Sequence, residues 1–237
     1  MWHIPDSARE RPRTPSRLDQ GVVMDHYQQV PGWFDFADIY DHMIARARDG
    51  AVFVEVGAYL GRSSLYLASR IQWSGKKIRV YVVDRWDGWL YDDCGGEAEQ
   101  AKESNTASED VFWHFIRNVR RAGVEDVICP LKMPSQQAAS LFEDGTLDFV
   151  FLDADHSYEA VRRDLEAWFP KIKRRGVLGG HDYLHPDFPG VRRAADEFFM
   201  EQKLPLQIHG TSFLVTKPSP RWLNAAARAY RRLLSAG

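Results

Sequence analysis

Two cysteines in 237 residues, Cys94 and Cys129, lie far apart in unlike surroundings. That excludes a disulfide framework and a zinc knuckle, and both are read as free thiols. No apolar run approaches the roughly 18 residues that a membrane-spanning helix needs. The opening MWHIPDSARERPRTPSRLDQ is polar and proline-broken rather than a secretory leader, so a cytoplasmic protein with no membrane partner is expected. Charge of one sign is lacking too: 31 Lys and Arg stand against 33 Asp and Glu, a formal charge of −2. Nucleic acid is therefore not expected as a ligand, and a small molecule is. Internal repeats are absent.

What is present is 44% hydrophobic residues, enough for a sizeable core. Residues 1–30 precede any periodic apolar pattern and read as an extended or partly disordered arm, suited to packing on a second copy in a homo-oligomer. In WFDFADIYDHMIARARDG, Phe36, Ile39, Tyr40, Met43 and Ile44 recur at helical spacing up to Gly50. Apolar runs AVFVEV, IRVYVVD, DVICPL, LDFVFLD and GVLGGHD then alternate with helical stretches GRSSLYLASRI, SEDVFWHFIRNVRRAG, SQQAASLFEDG and SYEAVRRDLEAWFPKIKRRG. The second and third of these helices have Ser108 and Ser135 as expected caps. Such alternation predicts an α/β fold: a Rossmann-like three-layer sandwich with a mostly parallel, seven-stranded sheet. After a helix in GVRRAADEFFMEQK, LQIHG and TSFLVTK read as a closing antiparallel hairpin. The domain spans residues 31–217, and residues 218–237 form a C-terminal helix. Residues 86–105, WDGWLYDDCGGEAEQAKESN, fit neither strand nor crossover helix and read as a lid insertion at the carboxyl edge of the sheet, or as a plain surface loop.

In VFVEVGAYLGRSS a buried strand ends at Glu55, turns at Gly57 and Gly61, and enters a helix whose first amides are free for a ligand. A dinucleotide fingerprint would need glycine where this chain has Tyr59, which disfavours NAD and FAD. Glycines serving only a tight turn would explain the stretch as well. The second strand ends in Asp84 beside that loop, where a carboxylate can accept both hydroxyls of a ribose.

The E-x-G-x-x-x-G spacing of Glu55, Gly57 and Gly61 resembles motif I of class I S-adenosylmethionine (SAM) methyltransferases. The stretch LDFVFLDADHSYEAVRRDLEAWFPKIKRRGVLGGHDY, followed by FPGVRRAADEFF, is similar to small O-methyltransferases of the macrocin-type and antibiotic-sugar group, over roughly residues 33–216. The resemblance implies SAM as cofactor, with contacts at Glu55, Gly57, Ala58, Tyr59, Gly61, Ser63, Asp84, Ser135 and Asp153, and Met133 as a further neighbour of the adenine. It implies a divalent cation (magnesium, manganese or iron) on Asp153, His181 and Asp182, and Asp155 as the base. His181 departs from the family pattern, which has a carboxylate there, and imidazole suits manganese, iron or zinc better than magnesium. His181 is also a candidate catalytic base in its own right, with Asp182 orienting its ring. Tyr158, His185 and the lid aromatics are candidates for contact with the acceptor.

Each assignment has a structural alternative. Asp155 or Ser157 would serve to cap the following helix, and His156 or His181 to make an internal hydrogen bond. The implied function is O-methyl transfer to a sugar or glycosylated small molecule. A cephalosporin-hydroxylase-like enzyme on the same core and a non-catalytic SAM-binding module are the alternatives.

Overall fold

A seven-stranded sheet is the middle layer of the protein, and the computed structural model describes residues 26–87 and 111–219. Strands β1 (Val52–Val56), β2 (Arg79–Asp84), β3 (Ile128–Lys132), β4 (Leu147–Leu152) and β5 (Ile172–Gly180) run parallel. The hairpin of β6 (Gln207–His209) and β7 (Ser212–Thr216) adds antiparallel to β5. The order β3-β2-β1-β4-β5-β7-β6 reverses direction between β1 and β4, and ligands of open α/β sheets bind outside the carboxyl ends at such a point.

Helices α1 (Ala37–Arg46), α2 (Arg62–Ser74) and α3 (Val111–Ala122) cover one face; α4 (Ser135–Ala139), α5 (Tyr158–Trp168) and α6 (Pro189–Glu201) cover the other. Two cores result because successive strand residues point to opposite faces. Phe53, Val80, Val82, Phe149 and Phe151 join the first core; Val54, Val56, Val83, Val150 and Leu152 join the second. This is the three-layer sandwich that the alternating runs predict. Trimming a fully buried ring such as Phe53 or Phe149 to alanine would cost about 3–5 kcal/mol.

One predicted boundary shifts. The helical pattern expected as far as Gly176 stops at Trp168, a 3-10 turn covers Phe169–Lys171, and β5 starts at Ile172. Pro170 has no N–H to continue the helix, and Ile172 pairs with Leu147 ahead of an irregularity in the β4–β5 register. Ser135 is also not the cap expected of it: Pro134 holds that position, and the Ser135 hydroxyl accepts from Trp168 Nε1 at 2.8 Å.

Trp86, the first residue of the expected lid, is buried in the first core against Phe112 and Phe115. The rest of that segment beyond Asp87, the cap Ser108, Cys94, most of the N-terminal arm and nearly all of the C-terminal helix lie outside the described residues. Cys129 on β3 is a free thiol. Among the described residues no helix is long and apolar enough to cross a membrane.

Candidate active site

Backbone hydrogen bonds carry the sheet one residue past its strand ends. Gly57 N donates to Val83 O at 2.8 Å, Met133 N to Asp84 O at 3.0 Å, Asp153 N to Val56 O at 2.7 Å and His181 N to Leu152 O at 3.0 Å. Met133, Asp84, Gly57, Asp153 and His181 therefore stand along one carboxyl edge, on rigid elements. Of the five non-glycine residues in the left-handed region among the described residues, Tyr59, Trp86 and Asp182 lie on this edge (φ 51°, 45° and 58°), where local backbone strain commonly accompanies function.

The loop after β1 is pinned from several sides. Asp84 Oδ2 accepts from the amides of Ala58 (2.8 Å) and Tyr59 (3.0 Å), and its Oδ1 accepts from Trp86 N at 2.9 Å. Trp86 Nε1 donates to Tyr59 O at 2.8 Å, and Asn118 Nδ2 to Leu60 O at 3.0 Å. Asp84 thus holds the loop, and its remaining acceptor capacity is what a ribose diol would use. Gly61 caps α2 at φ 95°, where a Cβ would meet the Phe115 ring at 2.9 Å. The turn reading and the binding reading of these glycines are compatible, since the tight turn at Gly61 leads directly into α2.

Glu55 and Ser63 face inward. The Glu55 carboxylate is buried and accepts from Tyr40 Oη at 2.7 Å and from Ser64 Oγ. Burial pushes Glu55 up to about 7, with the hydrogen bonds of Ser64, Ser63 and Tyr40 acting the other way. Glu55 so placed ties α1, β1 and α2 together beneath the loop. Ser135 likewise turns towards Trp168, while Met133 packs at the margin of the second core.

At the ends of β4 and β5, Asp153, His181 and Asp182 each offer a ligand atom, all within 4.8 Å of one another. His181 Nδ1 lies 3.4 Å from Asp153 Oδ1 and 3.3 Å from Asp182 Oδ2. His156 Nε2 lies 2.9 Å from Asp182 Oδ2 and 3.9 Å from Asp153 Oδ1, although it makes no aligned hydrogen bond. Burial opposes charge on His181, but hydrogen bonds and charges of Asp153 and Asp182 outweigh it and raise the imidazole to about 11. The same balance raises His156 to about 9. For Asp182 burial acts upward, and the two imidazoles hold it well below the usual carboxylate range. Two carboxylates and an imidazole so gathered fit a borderline divalent cation.

Asp155 Oδ1 accepts from Ser157 N at 2.8 Å, and Ser157 Oγ caps α5 by accepting from Ala160 N at 3.4 Å. Burial of Asp155 acts upward, but the Ser157 hydrogen bonds and the charges of His156 and Arg163 lower it. It is ionised at neutral pH. Sequence reading missed His156 as a member of this centre. Its ring stacks on Phe188 at 4.1 Å, and the His185 ring also stacks on Phe188, at 4.6 Å. Gly190, in the first turn of α6, permits this closure, since a Cβ there would lie 2.9 Å from His156 O. Tyr158 is turned away and donates to Glu197 at 2.5 Å.

The family model described as a methyltransferase domain matches residues 54–183, which include the glycine loop and every residue of the acidic centre. Among solved structures, the O-methyltransferase NovP superposes with a TM-score of 0.58 at 18% identity, over 77% of this chain and 79% of its own. An O-methyltransferase from Bacillus cereus in complex with SAH, the demethylated product of SAM, gives 0.55 at 17% identity, over 86% and 92%. A Corynebacterium glutamicum protein gives 0.58 at 14% identity, over 87% and 92%. At these identities the likeness is one of fold. The protein y4gI of Sinorhizobium fredii is 26% identical over 129 residues, 54% of this chain, which spans only 13% of that relative's length.

Proposed function

The chain belongs to the methyltransferase-domain family, and we propose that it is a SAM-dependent O-methyltransferase that methylates a hydroxyl of a sugar or glycosylated small molecule with the help of a divalent cation. The observation that carries this reading is the shared edge. The glycine loop with Asp84 and the centre of Asp153, His181 and Asp182 are joined by the Asp153 N to Val56 O hydrogen bond, so a methyl donor and an acceptor held at the two sites would be neighbours.

SAM, when bound, supplies a methyl group already activated on a sulfonium, so the protein has mainly to align an in-line attack. Asp84, itself held by the Ala58 and Tyr59 amides, would hold its ribose, and the glycines allow its close approach. A divalent cation on Asp153, His181 and Asp182 would supply acidification of the acceptor hydroxyl. Asp155, ionised and beside that centre, would accept the hydroxyl proton as the oxygen attacks the methyl carbon. Its lowered basicity makes it a weak base unaided, which is the reason to pair it with a cation. His181 suits the ligand role better than that of direct base: with no cation present its ring is an imidazolium, with no lone pair to take a proton. The sugar class rests on the sequence resemblance and on the polar character of this edge. Nucleic-acid and membrane partners are not part of the proposal, and a homo-oligomer through the N-terminal arm stays within it.

The test is a screen of nucleotide sugars and glycosides with methyl-labelled SAM, with Mn2+, with Mg2+ and with chelator. Label is expected in an ether of a sugar hydroxyl, lost on chelation while SAH still binds. Full transfer in chelator would remove the cation from the reading, and label only on nitrogen or carbon acceptors would remove the hydroxyl.

A further inference from the structure

His181 carries a second set of contacts on the ring nitrogen that faces away from the acidic centre. Nε2 lies 2.7 Å from Asp35 Oδ1 and 3.0 Å from Thr211 Oγ1, and the Thr211 hydroxyl donates to Asp35 Oδ2 at 3.3 Å. Asp35 stands just before α1 and Thr211 at the turn of the β6–β7 hairpin. Between these two segments Asp38 pairs with His209, so the arrangement is fastened at two points. Phe36, the neighbour of Asp35, is buried and lies 4.8 Å from the imidazole, centroid to centroid. Ring plane and ring rotation are thus both fixed from one short stretch.

From this geometry we infer that Asp35 and Thr211 are positioning residues that fix the tautomer of His181, making Nδ1 a cation ligand and biasing the centre towards manganese or cobalt over magnesium. The inference rests on the cation reading above. The hydrogen count runs one way. A carboxylate can only accept, so Asp35 requires the proton on Nε2, and the Thr211 hydroxyl hydrogen is used on Asp35 as well. In the neutral ring Nδ1 then presents a lone pair to Asp153 Oδ1 and Asp182 Oδ2, a place that a proton holds in the cation-free protein and that a divalent cation would take over. Ligands about 2.1 Å from a metal stand roughly 3.0–3.4 Å apart at neighbouring positions, and the two observed separations are 3.4 and 3.3 Å. Outer carboxylates on metal-binding histidines act in this way: they set the tautomer and strengthen the ring as a donor. A carboxylate in place of His181 would give Asp35 nothing to orient, so the outer pair has a purpose only with the imidazole. The same pairing would orient a general base, but a base needs its free nitrogen towards the acceptor, and here that nitrogen stands between two carboxylates.

The experiment titrates Mn2+, Co2+ and Mg2+ into the full chain by calorimetry, records the visible spectrum of the Co2+ form, and measures SAH affinity as a control for the fold. Variants are Asp35→Asn, Thr211→Val, His181→Asp and the double variant His181→Asp with Asp35→Asn. Asp35→Asn is expected to weaken Mn2+ and Co2+ by about tenfold to a hundredfold and to shift the Co2+ bands, with SAH affinity changed less than about twofold. Thr211→Val should give a smaller loss in the same direction, and serves alone if Asp35→Asn fails the SAH control. His181→Asp should bind Mg2+ at least as well as Mn2+, and in that background Asp35→Asn should have no further effect. Unchanged Mn2+ affinity and an unchanged Co2+ spectrum in Asp35→Asn would overturn the positioning role while leaving the cation reading intact. An equal loss in the His181→Asp background would overturn it too, by showing that Asp35 acts without the imidazole. No cation binding by the unaltered chain would remove the cation reading and this inference with it.

Discussion

Gly57 and Asp153 meet backbone to backbone: a Cβ on Gly57 would lie 1.8 Å from the Asp153 carbonyl oxygen, and Gly57 has φ 90°. The glycine loop proposed to take the cofactor and the strand end bearing a proposed cation ligand are thus in direct contact, with no side chain between them. Gly57→Ala should separate them, costing about 1–3 kcal/mol from overpacking and further strain from the positive φ. SAH and Mn2+ affinity should both fall at least about tenfold in protein that still folds, where damage to the loop alone would spare Mn2+.

Asp84 is expected to serve loop and ribose together. Asp84→Ala removes the acceptor of the Ala58, Tyr59 and Trp86 amides and the partner of the diol. Hydrogen bonds to a charged group contribute about 1.5–3 kcal/mol each, so SAH affinity by calorimetry should drop about tenfold to a hundredfold or more. Undiminished affinity would show that the ribose is held elsewhere.

How far the site could be read from sequence follows from where each residue stands. Gly57, Asp84, Asp153, His181 and Asp182 each close or follow a run of apolar residues, and in a parallel sheet such runs end on one edge, so period and polarity place them there, while the grouping of Asp153, His181 and Asp182 as a ligand set comes from the family resemblance. Asp35, Thr211 and His156 carry no such mark. Asp35 and His181 are 146 positions apart, and no pattern within either segment announces the other. Ser135 reads as a cap because it precedes a helix, but the Trp168 indole takes its hydroxyl, a tertiary contact that local propensity does not register. The helical period of SYEAVRRDLEAWF is sound; its continuation through KIKRR fails because pairing of β5 with β4 overrides it.

Cation uptake should be linked to pH through His181. In the cation-free protein its imidazole is raised from 6.5 to about 11, burial opposing and the Asp153 and Asp182 interactions prevailing. A raised histidine gives stability that is fully present below the unfolded value of 6.5 and is lost as pH rises towards 11. A cation on Nδ1 must displace that proton. Apparent Mn2+ affinity should therefore climb by roughly tenfold per unit from pH 6.5 to 8.5, with about one proton released per cation. Calorimetry in two buffers of different ionisation enthalpy counts that proton; a count near zero would take His181 out of the ligand set.

Glu55 should leave the opposite mark on stability. Its carboxyl is raised from 4.5 to about 7, chiefly by burial, so the folded chain keeps a proton that the unfolded chain releases across that window. Stability from this group falls as pH rises from 4.5 to 7. Glu55→Gln has no proton to lose, and relative to the unaltered chain it should gain on the order of 1–3 kcal/mol between pH 5 and pH 8 in urea melts. A constant difference across that range would mean that the Tyr40 and Ser64 hydrogen bonds keep Glu55 ionised.

Asp155→Asn tests the base. Turnover with a saturating acceptor should fall about a hundredfold to ten-thousandfold, with SAH and Mn2+ affinities within about twofold of the unaltered chain. A rate close to normal would leave Asp155 with its turn at the head of α5 and nothing more.

The contact between Asp35 and Thr211 joins segments 176 positions apart, and this bears on the order in which the chain becomes able to work. A nascent chain that has emerged only through β5 carries Asp153, His181 and Asp182 but not the hairpin that holds Thr211 and shields β5 as β7 docks between it and β6. During synthesis the cofactor loop, which needs only β1, β2 and their neighbours, can form early. The histidine centre waits for the last strands, so on the reading proposed above the place for the methyl donor forms before the place for the acceptor.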